Sequence, residues 1–124
     1  MGKWVRYNPN PFGRNVGDCT IRALSKALDK GWDEVYAALA IRGYMMGDMP
    51  SANYVWGAYL EDCGFVRDLA PAGETVREFV AAHPRGTYVL ALSGHVVCAQ
   101  DGAIYDSWDS GNEIVLYFWH REDF

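Results

Sequence analysis

Apolar residues in the first part of the chain recur every three to four positions, as on helices. In the last part they alternate or form short unbroken runs, as in strands. From Asp18, a candidate N-cap, Ile21, Leu24, Ala27 and Leu28 fall on one helical face that stops near Lys30-Gly31. A second helix is predicted from about Asp33, burying Val35, Tyr36 and Leu39 and stopping by Gly43 or Gly47. The segment "GYMMGDMP" reads as a loop, and Ser51 is placed to cap a third helix with Val55, Tyr59 and Leu60 inward, ending at Gly64. Thr75 and Glu78 have the spacing of a capping box and open a short fourth helix, with Val76, Phe79 and Val80 inward and Pro84 beyond its end.

After Pro84 the texture changes. "GTYVLALSG", "HVVCAQ", "AIYDSWD" and "EIVLYFWHR" are β-rich runs of strand length, separated by Gly, Asp and Ser. Residues 1–17, punctuated by Pro9, Pro11, Gly13 and Gly17, read as an extended lead-in and loop. Helices first and strands afterwards predict an α+β fold, N-terminal helices packed on a C-terminal antiparallel sheet, as one domain over residues 1–124.

One turn fixes a register. Asp101-Gly102 favours a two-residue type I′ hairpin, which pairs Gln100 with Ala103, Val97 with Asp106 and His95 with Trp108. Side chains alternate across a sheet, so His95, Val97, Ala99, Ile104, Asp106 and Trp108 share one face. Asp106 is then the diagonal neighbour of His95, about 7 Å away between backbones. A carboxylate beside an imidazole, with a tryptophan against it, suits an oriented and shielded general base. Asp109 competes for the role of Asp106 but falls on the other face if the strand continues.

Composition and charge narrow the partners. The chain has 124 residues, half of them hydrophobic and 15% aromatic, enough for a core without metal or disulfide staples. A net charge of −5, with scattered Lys and Arg, argues against a nucleic-acid partner. No apolar run approaches the roughly 18 residues of a membrane span, and no h-region of a secretion signal opens the chain. Three cysteines without a CxxC pair point to a reducing, cytoplasmic setting.

The same cysteines raise the question of chemistry. Cys19 sits where the loop "NPNPFGRNVGD" becomes a helix, and the partial positive charge of a helix N-terminus lowers a thiol pKa. With His95 as base and Asp106 as orienting acid it completes a thiol-hydrolase set: the thiolate attacks a carbonyl, and the imidazolium protonates the leaving group. The Cys19 N–H can donate to the oxyanion, with Asn10 or Asn15 as the second donor. Cys63 and Cys98 read as core thiols, and His83 and His120 lack convincing partners. No spacing suggests a metal or cofactor site; His95 and Cys98 point to opposite faces of a strand.

The stretches "NPNPFGRNVGDCTIRALSKAL", "GDMPSANYVWGAYL", "HPRGTYVLALSGHVV" and "IYDSWDSG" resemble a family of short papain-like cysteine peptidases encoded by bacteriophages and gut bacteria. The resemblance implies a papain-like cysteine proteinase fold, with Cys19 as nucleophile, His95 as base, Asp106 as orienting acid and a protein or peptide substrate. It also implies a glutamine shortly before the cysteine, where this chain has Gly13, and it favours Asn10 over Asn15 for the oxyanion. Two other activities share the scaffold: deamidation or transglutaminase-like acyl transfer on a protein glutamine, and a non-catalytic phage-encoded binding or inhibitor module.

Overall fold

The computed structural model describes residues Lys3–Arg121. In chain order it contains β1 (Lys3–Arg6), α1 (Cys19–Leu28), α2 (Trp32–Met46), α3 (Asn53–Asp62), β2 (Phe65–Leu69), α4 (Val76–Ala82), β3 (Thr87–Leu92), β4 (His95–Gln100), β5 (Ala103–Asp106) and β6 (Tyr117–Arg121). This is an α+β fold with a six-stranded sheet in the order β1-β5-β4-β3-β6-β2. The sheet is mostly antiparallel but mixed, because β1 runs parallel to β5.

Alternation along the strands divides the core in two. Val89, Ala91, Val96 and Cys98 face one way and pack with Leu24, Leu39, Trp56 and Leu60 of the first three helices. Leu90, Leu92, Val97, Ala99 and Ile104 face the other way and pack with Val76, Phe79 and Val80 of α4. Each residue step along β3 or β4 therefore serves a different layer. The capping box of α4 forms in both directions: Glu78 N–H donates to Thr75 Oγ1 at 3.1 Å, and Thr75 N–H donates to Glu78 Oε1 at 2.9 Å.

Several expectations are corrected. The lead-in contains β1, and Phe65–Leu69, unassigned from sequence, forms β2. Helix α2 continues through Tyr44, Met45 and Met46, which the sequence reading placed in a loop. The chain then folds back so tightly that a Cβ on Gly43 would meet the Asp48 carbonyl oxygen at 2.8 Å. Tyr36 is 51% exposed, because the buried stripe of α2 runs Val35, Leu39, Gly43 and Tyr36 lies beside it. Helix α3 begins after Ala52 instead of being capped by Ser51, although Val55, Tyr59 and Leu60 are buried as expected. The last two strands are shorter than their β-rich runs. Among the described residues no helix is long and apolar enough to cross a membrane.

Candidate active site

The β4–β5 hairpin has the expected register over the three pairs next to its turn, but the ladder ends there, so the expected Val97–Asp106 and His95–Trp108 pairs are not part of it. Asp101 and Gly102 both adopt positive φ, 48° and 84°, as a type I′ turn requires, and Gln100 pairs with Ala103, Ala99 with Ile104 and Cys98 with Tyr105. His95, the first residue of β4, and Asp106, the last of β5, therefore lie at the same end of the sheet. Cys19, the first residue of α1, is brought to that end, beside His95 and Val96.

Asp106 is fully buried and its carboxylate is surrounded by donors. Oδ2 accepts from His95 Nε2 at 2.7 Å and from Ser110 Oγ at 2.7 Å. Oδ1 accepts from Arg22 Nη2 at 2.9 Å and from the Ser107 N–H at 2.8 Å. With Nε2 committed to the carboxylate, Nδ1 is the ring nitrogen left to meet the Cys19 thiol, to which His95 is hydrogen-bonded. The Trp108 ring lies 4.9 Å from the imidazole, tilted by 42°, and is itself exposed.

The three groups perturb one another in a consistent direction. Burial alone pushes the Cys19 thiol up. Hydrogen bonds from His95, the Val96 N–H and Thr20, together with the charge on His95, outweigh it and hold the thiol below its ordinary value. Burial alone pushes His95 down, but its bonds to Asp106 and Cys19 and the two negative charges raise it to about 9. Burial pushes Asp106 up; His95, Ser110 and the charge of Arg22 more than reverse that and keep the carboxylate ionised. The two shifts run in complementary senses, the thiol toward its ionised form and the imidazole toward its protonated form.

Cys19 and His95 open onto a cleft of about 510 Å³, also lined by Gly17, Asp18, Thr20, Ile21, Tyr36, Leu39, Pro50, Asn53, Leu92, Leu116 and Tyr117, while Asp106 stays buried behind it. Asn10 does not line it. Its Oδ1 accepts from the Phe12 N–H at 2.8 Å and its carbonyl from the Gly13 N–H at 2.9 Å, so its carboxamide oxygen serves a local turn. Asn15 is exposed, and Asn53 is the amide side chain that reaches the cleft. Asp109 pairs with Arg77 at 3.0 Å near the surface and takes no part.

Two partners escaped the sequence reading. Arg22 is buried between Asp18 and Asp106, and Ser110 is buried against Asp106. The four-residue spacing of Asp18 and Arg22 was a visible signal for half of that arrangement; nothing local announced the other half. The other cysteines and histidines stand apart. Cys98 is fully buried, its thiol pushed up to about 12 by burial, and Cys63 packs against the helical layer. His83 Nδ1 lies 2.9 Å from the Phe79 carbonyl oxygen, and His120 pairs with Asp68 at 2.7 Å. Among the described residues no three His, Cys, Asp or Glu side chains converge as a metal site would require.

No protein-family profile, curated protein or solved structure matches this chain.

Proposed function

We propose that this chain is a thiol hydrolase on a papain-like fold, a peptidase, isopeptidase or amidase acting on a protein or peptide through an acyl-enzyme on Cys19. The observation that carries this reading is the hydrogen-bonded series Cys19–His95–Asp106 at the mouth of a cleft, with the thiol lowered and the imidazole raised to about 9. A structural cysteine has no need of such a partner; a nucleophile does.

In the proposed reaction the Cys19 thiolate attacks the substrate carbonyl carbon and forms a C–S bond. The electron pair of the carbonyl moves onto its oxygen, which accepts a hydrogen bond from the Cys19 N–H at the first turn of α1. His95 gives its proton to the leaving nitrogen as the C–N bond breaks, and a thioester remains. Water then attacks the thioester, His95 takes its proton, and the acid product leaves as the thiolate–imidazolium pair re-forms. Asp106 keeps Nε2 occupied throughout, so the ring presents Nδ1 to the reacting atoms. Three free cysteines suit a reducing compartment.

The test is peptide-resolved alkylation of Cys19 by iodoacetamide as a function of pH. The parent should react with a thiolate profile shifted well below an ordinary thiol pKa of about 8.5, and His95→Ala should lose roughly tenfold or more of the rate near neutral pH. An ordinary thiol profile in both proteins would move the assignment to a binding module without chemistry.

A further inference from the structure

Asp18 occupies the N-cap position of α1, yet its carboxylate makes no capping hydrogen bond. An aspartate there ordinarily accepts from the N–H groups of the first turn and lays a negative charge on the positive end of the helix. Here both oxygens are engaged elsewhere: Oδ1 accepts from Arg22 Nη1 at 2.5 Å and Oδ2 from Trp32 Nε1 at 2.8 Å. Asp18 is 6% exposed and Arg22 4%, so the arrangement is part of the interior and not a passing surface pair. The second arm of the same guanidinium reaches Asp106 Oδ1 at 2.9 Å. One cation thus joins the residue before Cys19 to the carboxylate behind His95.

We infer that Arg22 is a positioning residue: with Trp32 it draws the Asp18 carboxylate off the N-terminus of α1, leaving that terminus to the Cys19 sulfur, and with its other arm it fixes Asp106 behind His95. The inference rests on the proposed thiol chemistry and extends it to a residue that touches no reacting atom. Its physical basis is charge placement. A carboxylate capping the first turn would sit beside the sulfur and disfavour the thiolate, whereas one paired with a buried guanidinium is neutralised. The ionisable side chains lining the cleft are Asp18, Cys19, Tyr36, His95 and Tyr117, so Asp18 is the carboxylate that can act on the sulfur from there. Behind the cleft Arg22 of α1 and Asp106 of β5 pair with each other, and Asp106 in turn bonds His95, the group that faces the sulfur.

The two arms predict separate signatures. In Arg22→Met, Asp18 is released to cap the helix and Asp106 loses its cation. The lower limb of the Cys19 alkylation profile should move up, slowing labelling near pH 6 by roughly three- to tenfold, the effect of one charge at a helix terminus. The upper limb, read from the His95 ring by NMR, should move up from about 9, because the cation that offsets the Asp106 charge is gone. Adding Asp18→Asn in that background should restore the lower limb and leave the upper limb displaced; a residue that merely filled space would show no such selective rescue. Trp32→Phe, a mild change that frees one carboxylate oxygen and leaves Arg22 in place, should move the lower limb alone and in the same direction. It carries the test if Arg22→Met does not fold. If the parent has no lowered thiol profile, the proposed function fails. If the parent has it, and Trp32→Phe together with any folded Arg22→Met leaves the profile unmoved, the role given to Arg22 is wrong and the proposed function stands.

Discussion

At the scale of single residues the lowered thiol and the raised imidazole have a consequence for stability. His95 is held above its ordinary 6.5, so its contribution to stability is fully present below 6.5 and is lost as pH rises through about 9. Cys19 is held below its ordinary 9.0, so its contribution is present above 9.0 and is lost as pH falls through the lowered value. Where the two windows overlap, above both 6.5 and the lowered thiol value and below about 9, the folded pair and the unfolded pair hold the same number of protons, and the two slopes cancel. Denaturant unfolding of the parent and of Cys19→Ala/His95→Ala should therefore give a stability difference that is level where the two windows overlap and stays level above about 9. A steady decline through neutral pH would mean that His95 carries its proton without a thiolate partner. Ser110 makes a second prediction at this scale. Ser110→Ala removes a buried hydroxyl donor from an ionised carboxylate and should cost about 1.5–3 kcal/mol, measured by the same unfolding. The residues readable in advance were those whose partners a local turn brings close. The bond from Arg22 to Asp106 spans 84 positions of sequence, and no local pattern encodes it.

At the scale of elements the hairpin does most of the positioning, and it was legible because its information is local: two turn residues and the alternation on either side. Gly102 holds φ at 84°, and a Cβ there would meet nothing closer than the Pro84 carbonyl oxygen at 3.7 Å. Gly102→Ala should then cost only backbone strain, about 1–2 kcal/mol, with the Cys19 alkylation profile unchanged. A displaced profile would show that strain in the turn reaches His95 and Asp106. The capping box of α4 was legible for the same local reason. The strands β1 and β2 were not: they are the two edges of the sheet, four and five residues long, and in β2 only Phe65 is buried. An edge strand buries little, so its apolar pattern is weak, and its pairing partner lies far along the chain. The N-cap expectation for Asp18 failed for a tertiary reason, since Arg22 and Trp32 outbid the helix for its carboxylate.

At the scale of the whole molecule the proposed nucleophile and its base come from different layers. Cys19 rides on the helical layer, while His95 and Asp106 belong to the sheet, so the pair exists only while α1 is docked against β4. The two cores share that sheet, with Val96 and Cys98 facing the helices and Val97 and Ala99 facing α4, so loss of either layer exposes apolar surface on the strands carrying the site. Unfolding should accordingly be one cooperative event. Three probes report different parts of it: tryptophan fluorescence, with the buried Trp56 and Trp119 among its sources, follows the core between helices and sheet, alkylation of the fully buried Cys98 follows the sheet interior, and alkylation of Cys19 below its ordinary thiol range follows the docked pair. In a denaturant titration all three should change at one midpoint. If the low-pH reactivity of Cys19 disappears at lower denaturant than the fluorescence, α1 detaches by a local opening while the rest persists, and the activated thiol is a property of a minor rearrangement instead of the global fold. Coincidence would tie the reactivity to the complete α+β assembly, in which the start of β4, the end of β5 and the start of α1 meet at one end of the sheet.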